Sequence, residues 1–232
     1  MAATTGERCS RGCWAPRPEM NPRRLLTHLG LLCGAGGLVL QFCLSIPAYL
    51  AAGRDLPGAL GTFFAYYTIL TNIVLVLIYL SEIVPARWLD LFRLPQLRGM
   101  MAACITLVGL YVYFVLRYLT ALDGLFLVAD NLLHYVCPLL YLMWWLAGVR
   151  HGQLRWSQLP IMLVPTLIYF ACVMARGVWV QEYPYPILNA VKLGYAGVLL
   201  NAAGMTLALA GLLALVIGLD QLIARQQGGA HD

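Results

Sequence analysis

The chain has 232 residues, 61% of them hydrophobic and only 11% charged, with a formal net charge of +5 and a mean hydropathy of +0.77. Soluble domains average about 45–50% apolar and about 25% charged residues, so this chain cannot cover itself with a water-facing shell. A soluble enzyme, a nucleic-acid binder and a disordered scaffold are excluded, and at about 20 residues per span the length allows six or seven membrane helices.

In chain order, a polar leader over residues 1–24 carries Arg8, Arg11, Arg17, Arg23 and Arg24 and is expected to be poorly ordered. Its Cys9 and Cys13 have no histidine close by and lack four-ligand spacing, so no metal is expected there. Apolar runs follow at Leu25–Leu50, Thr62–Leu80, Met100–Leu119, Leu125–Ala147, Leu159–Met174 and Ala196–Leu219. The first is too long for a signal-peptide core of about 7–15 residues. The fifth is short and is expected to extend past Arg176 to Val178. No window alternates like a barrel strand. The expected fold is all-α: a polytopic six-transmembrane-helix bundle over residues 25–224, with a polar tail over 225–232.

Gly30 and Gly34 form a small-xxx-small pair in the first run, which predicts close helix packing. Pro85 and Pro95 punctuate the second loop, and Glu182-Tyr183-Pro184-Tyr185-Pro186 reads as a rigid interfacial cap after the fifth run. No inverted repeat relates the first three runs to the last three. Eleven basic residues fall on one side: the leader five, Arg87, Arg93, Arg98, Arg150, Arg155 and Arg225. Arg54, Arg117, Arg176 and Lys192 fall on the other. That asymmetry predicts both termini in the cytoplasm.

Polar residues within a span need a reason. The second run reads Tyr66-Tyr67-Thr68-Ile69-Leu70-Thr71-Asn72, and Thr68, Thr71, Asn72 and Leu75 share one helical face. The stripe is either threonine back-bonding with an interhelical Asn72 link, or part of a site. The fourth run reads Asp130-Asn131-Leu132-Leu133-His134-Tyr135-Val136-Cys137-Pro138. Asp130 or Asn131, one turn before His134, could orient the imidazole. Pro138 cannot donate to the carbonyl of residue 134, which predicts a kink and a free acceptor beside the histidine. Thr68 lies about eight residues into its run and His134 about ten, roughly 12–15 Å deep at 1.5 Å per residue and on the same side. An alcohol, a base and a group to orient the base are what nucleophilic catalysis asks for. Arg117 is placed to pair with Asp130 or a carboxylate ligand, or to snorkel at the interface. Asp55, Glu82, Asp90 and Asp123 read as solvated loop acids, and Asp220 ends the sixth run. His28, His151 and His231 carry weaker signals.

At these residues the sequence resembles the androgen-induced gene family of integral-membrane hydrolases, and more closely its bacterial six-helix relatives. The resemblance is carried by Tyr66-Tyr67-Thr68-Ile69-Leu70-Thr71-Asn72, by Asn131-Leu132-Leu133-His134 with Pro138, and by Tyr183-Pro184-Tyr185-Pro186-Ile187-Leu188-Asn189, in that order. It implies a threonine nucleophile at Thr68, a histidine base at His134, and lipid esters of a fatty acid with a hydroxy fatty acid as the substrate class. Two departures stand out: Thr71 occupies the place of an acid, and the spacing from His134 to Pro138 is one residue shorter. Trp144-Trp145 likewise stands where bacterial relatives often have an acid before a tryptophan.

The expectation is a membrane hydrolase of a lipid-like ester, in a bacterial inner membrane, with the substrate arriving from the bilayer and no cofactor or metal. Thr68 attacks, His134 shuttles the proton, and Asp130, Asn131, Thr71 and Asn72 support. Asn72 or a tyrosine hydroxyl steadies the oxyanion. Tyr67, Arg117, Tyr183 and Tyr185 form the substrate wall or lid. A transporter or ligand-binding bundle with Asp130 and His134 as a proton relay is the alternative. A structural partner of another membrane protein, its polar stripes serving as helix glue, is a third reading.

Overall fold

Lipid offers no partner to a backbone amide, so apolar runs of this length must satisfy their own hydrogen bonds as helices. A computed structural model describes residues 21–119 and 121–228; it is an all-α bundle with no strand among the described residues. Its helices are α1 (Pro22–Ala51), α2 (Leu56–Phe64), α3 (Tyr67–Ile83), α4 (Pro95–Phe114), α5 (Gly124–Asn131), α6 (Cys137–Gly148), α7 (Leu159–Val180) and α8 (Ala190–Gly228). A π turn, Leu132–Val136, joins α5 to α6 within one span. Five spans are long and apolar enough to cross a membrane unaided, and the bent pair α2–α3 makes a sixth. The protein is a polytopic membrane protein. Most of the expected leader, including Cys9 and Cys13, and the last residues of the tail lie outside the described residues, whereas α8 carries the tail on as helix to Gly228.

Two differences from the sequence reading reshape the site. The second run is not one helix. Asp55 caps α2 by accepting from the Gly58 amide at 2.9 Å, and α2 then breaks at Ala65–Tyr66 into α3, bent by 74°. Thr68 is therefore the second residue of α3, without the helical lead of eight residues expected for it. The fourth span does not simply kink at Pro138. The missing proline N–H is accommodated one turn upstream, where the Cys137 amide reaches back to Leu132 O and widens the helix.

Small residues let the helices approach. A Cβ on Gly30 would fall 2.2 Å from the Tyr79 ring, and one on Gly34 would fall 2.8 Å from Val76. The pair thus seats α1 directly on α3, as its spacing predicts. Tyr79 packs edge-on against Tyr141 and Trp144, which are tilted against each other, and the three anchor the main core with α4 and α8.

The end of the bundle where α1 begins and α8 ends is pinned by charge. Glu82, expected to be solvated, sits between the guanidinium groups of Arg23 and Arg98. Arg93 donates to the carbonyls of Ser81, Val84 and Ala86 and so closes the C-terminus of α3. Asp220 is 2% exposed. It accepts from the Leu154 amide at 2.9 Å and meets His151 Nδ1 at 3.1 Å. The opposite end carries the α2–α3 break, the π turn and the segment 181–189.

Candidate active site

A threonine inside an ordinary helix donates its hydroxyl to the carbonyl four residues back, and Thr27, Thr71, Thr106 and Thr206 all do so. Thr68 has no such partner. The residue four back is Phe64, which belongs to α2 on the far side of the break. Its hydroxyl is left for another helix, and the π turn supplies that contact: Thr68 Oγ1 lies 3.1 Å from His134 Nε2.

The break survives because side chains satisfy its exposed backbone. Tyr169 Oη donates to Ala65 O at 2.8 Å, and the Thr68 amide donates to Tyr185 Oη at 3.4 Å. Asn72, fully buried, donates its Nδ2 to Thr68 O at 2.9 Å and to Leu133 O at 3.3 Å, tying α3 to the π turn. Both Nδ2 hydrogens are thus engaged, and Oδ1, which is left without a partner, can only accept. Of the two expected oxyanion donors, Asn72 or a tyrosine hydroxyl, the tyrosine is the one with a hydrogen to give. Thr71 donates to Tyr67 O and Thr68 O and has nothing to spare; its role is to hold the first turn of α3.

Around His134, Asp130 Oδ1 lies 2.8 Å from Nδ1, and the Asp130 carbonyl is also within 3.1 Å. Both are acceptors, so in the neutral ring Nδ1 carries the proton and Nε2 is the lone-pair nitrogen that accepts from the Thr68 hydroxyl. A carboxylate, an imidazole and an alcohol thus lie in one hydrogen-bonded line. Asn131 does not join it: the residue is exposed, and the ring's Nδ1 is met by Asp130. Arg117 does not pair with Asp130 either. Its guanidinium stacks over Tyr113 and Tyr118, 4.6 and 4.8 Å from the ring centroids, at the bundle surface.

The segment 181–189 covers this line as a lid. Gly177 leaves room for the Tyr183 ring to lie against α7, since a Cβ there would fall 2.0 Å from it. Tyr185 packs edge-on against Tyr66 and Tyr111, and burial pushes its phenol up to about 12. Its proton is therefore held at neutral pH, and the oxygen that accepts from the Thr68 amide still has a hydrogen to donate. A latch fastens the lid. Arg54 grips Glu182 with two hydrogen bonds, 2.7 and 2.8 Å, while Arg176 donates to the Glu182 carbonyl at 3.4 Å and to Thr62 Oγ1 at 3.1 Å. The Arg54 contact holds the Glu182 carboxyl below the usual carboxylate range and raises Arg54 in turn. The latch was missed in the sequence, where Arg54 and Arg176 counted only toward orientation and Glu182 only as part of the interfacial cap.

Two cavities meet at Thr68. A chamber of about 470 Å³ is bordered by Thr68, Asp130, His134, Tyr183, Tyr185 and Lys192, with Gln41, Ser45 and Tyr49 on its α1 wall. A narrower, mostly apolar cavity of about 100 Å³ runs from Tyr67, Thr68 and Tyr185 between α4, α7 and α8. Tyr67, hydrogen-bonded to Thr166 at 2.7 Å, is part of its wall and not of the lid. Among the described residues, no three His, Cys, Asp or Glu side chains converge as metal ligands. No family model matches the chain, and no curated protein or solved structure matches it.

Proposed function

We propose that this protein is an integral-membrane ester hydrolase with Thr68 as nucleophile, in the manner of the hydrolase family its sequence resembles. The observation that carries the reading is the line from Asp130 Oδ1 through the His134 ring to Thr68 Oγ1, with contacts of 2.8 and 3.1 Å. It is the arrangement that turns a weak alcohol into a nucleophile: a base within reach, oriented by a third group.

The reaction runs in two halves. Thr68 Oγ1 attacks the ester carbonyl as its proton passes to His134 Nε2. Asp130 then faces an imidazolium and stabilises it. The carbonyl oxygen becomes an oxyanion beside the first turn of α3, where the Tyr185 hydroxyl donates to it. The C–O bond to the alcohol breaks as His134 Nε2 returns the proton to the leaving oxygen. In the second half water gives a proton to His134 Nε2, its oxygen attacks the acyl carbon, and the proton returns to Thr68 as the acid departs. No metal or cofactor takes part in this scheme. The substrate is a lipid-like ester that reaches the site from the bilayer. The resemblance points to a bacterial inner membrane, and the basic-residue asymmetry to both termini in the cytoplasm, which puts the lid on the outer face.

The test is covalent labelling of the purified protein by a fluorophosphonate probe. The wild type labels, and Thr68→Ala and His134→Ala do not. Labelling that persists without Thr68 would assign the nucleophile elsewhere. A wild type that never labels would favour the proton-relay reading of Asp130 and His134.

A further inference from the structure

We infer that the two cavities divide the substrate at its scissile bond, and that the protein takes a straight-chain acyl ester of a polar alcohol. The acyl chain occupies the apolar cavity between α4, α7 and α8, and the alcohol occupies the larger chamber. This rests on the hydrolase reading above and names the substrate class for it.

Proton traffic decides which half goes where. The group that protonates the leaving oxygen must touch it, because general-acid transfer needs hydrogen-bond reach. His134 and Asp130 border the larger chamber and are absent from the walls of the narrow cavity. The alcohol therefore lies in the chamber. Thr68 and Tyr185 border both spaces, so a carbonyl held at Thr68 has its oxygen beside Tyr185 and its acyl chain free to enter the other side.

The walls match that division. Leu107, Val108, Phe170, Ile187 and Met205 line the narrow cavity, while the chamber sets Gln41, Ser45, Asn189 and Lys192 among apolar side chains such as Phe63, Leu119 and Phe126. A cavity of about 100 Å³ admits one unbranched chain and limits its length. A chamber of about 470 Å³ accommodates a bulkier head and the water that the second half of the reaction consumes. An ester whose alcohol carries no polar group would fill this mixed chamber and leave its amide, hydroxyl and ammonium groups without water or partner.

Ala202 is the residue that reads the inference out, because it borders the narrow cavity and not the chamber. The experiment uses the full chain in detergent with fluorogenic umbelliferyl esters from acetyl to palmitoyl. Octanoyl glycerol and hexadecyl octanoate are run beside them, and fluorophosphonate labelling reports the intact site. In the wild type kcat/KM rises with acyl length to a ceiling, and octanoyl glycerol is cleaved while hexadecyl octanoate is not. Ala202→Phe lowers the ceiling: octanoyl turnover falls roughly tenfold or more against acetyl, a scale set by the 10–200-fold effect of one methylene in a tight pocket. The milder Ala202→Leu gives an intermediate profile and serves if the phenylalanine variant does not accumulate. An acyl-length profile unchanged in both variants, or hexadecyl octanoate cleaved as fast as the glycerol ester, overturns the division while labelling leaves the hydrolase reading standing. Absence of both labelling and Thr68-dependent turnover of every ester sinks the hydrolase reading and this one with it.

Discussion

Asp130 and Asn131 have equal claim on His134 by spacing, and only the carboxylate meets the ring. The distinction has a chemical consequence. An amide at position 130 can turn its NH₂ toward Nδ1 and favour the tautomer with the proton on Nε2, aimed at Thr68. The nucleophile would then face a donor where it needs an acceptor. Asp130→Asn is expected to lower kcat for ester turnover by roughly 10²–10⁴-fold, the upper figure being that seen for the same tautomer error in serine proteases. Folding should be retained, and the rate of phosphonate labelling should fall in parallel. Tyr185 makes the complementary case. Tyr185→Phe keeps the ring in its aromatic contacts but removes the donor to the oxyanion, so kcat should fall by about 10²–10³-fold with KM little changed. Equal loss in KM and none in kcat would instead make Tyr185 a binding residue.

Among the elements, the lid and the α2–α3 elbow determine whether those residues meet. The lid is fastened chiefly through Glu182, whose carboxyl is held below the usual range by Arg54. A lowered carboxylate contributes stability that is complete above its unfolded value and lost as pH falls through the folded one. Acidification below the ordinary glutamate range should therefore loosen residues 181–189, read as faster proteolytic cleavage there, with the rest of the bundle resistant. Glu182→Gln should show the acid rate already at neutral pH. An identical pH profile in wild type and variant would assign the latch to other contacts. The elbow was partly legible: Asp55-Leu56-Pro57 is an N-cap with proline just inside a helix, and it marks α2 well before the apolar run at Thr62. The break after Phe64 was not, because no glycine or proline marks it. Its carbonyl and amide are met by Tyr169 and Tyr185, and partners more than a hundred residues away leave no local trace. The π turn was hidden for a related reason: Pro138 announces a lost hydrogen bond, but not the residue at which the helix absorbs it.

For the whole molecule, composition alone sufficed for solvent and span count, since hydropathy is summed over long windows and tolerates local error. The polar exceptions within those spans, Thr68, Asp130 and His134, were visible for the same reason: lipid makes each of them costly. What stayed invisible was pairing across the bundle. His151 and Asp220 meet as a buried pair, and Glu82 lies between Arg23 and Arg98, yet each read as a loop or helix-end charge. The Glu82 cluster joins the ends of α1, α3 and α4, so it bears on the stability of the bundle and not on the site at its other end. Glu82→Ala leaves Arg98, with a side chain 10% exposed, without its carboxylate. The expected cost is about 3–5 kcal/mol, the range for removing one member of a buried pair. It would be read as a lower melting temperature in detergent, with phosphonate labelling kept at low temperature. A melting temperature equal to wild type would mean that the cluster is solvated.

The amide of Thr68 is capped by Tyr185, a residue that lies between the last two spans. The line from Asp130 to Thr68, by contrast, is complete once the fourth span is made. During synthesis the first four spans can therefore assemble the alcohol, the imidazole and the carboxylate while the chain that covers them is still unmade. On the proposed mechanism, a nascent chain ending at α7 has its threonine without the Tyr185 hydroxyl beside it and without the lid above it. The proposed mechanism thus makes the oxyanion donor the last part of the site to be translated, after the alcohol, the base and its carboxylate.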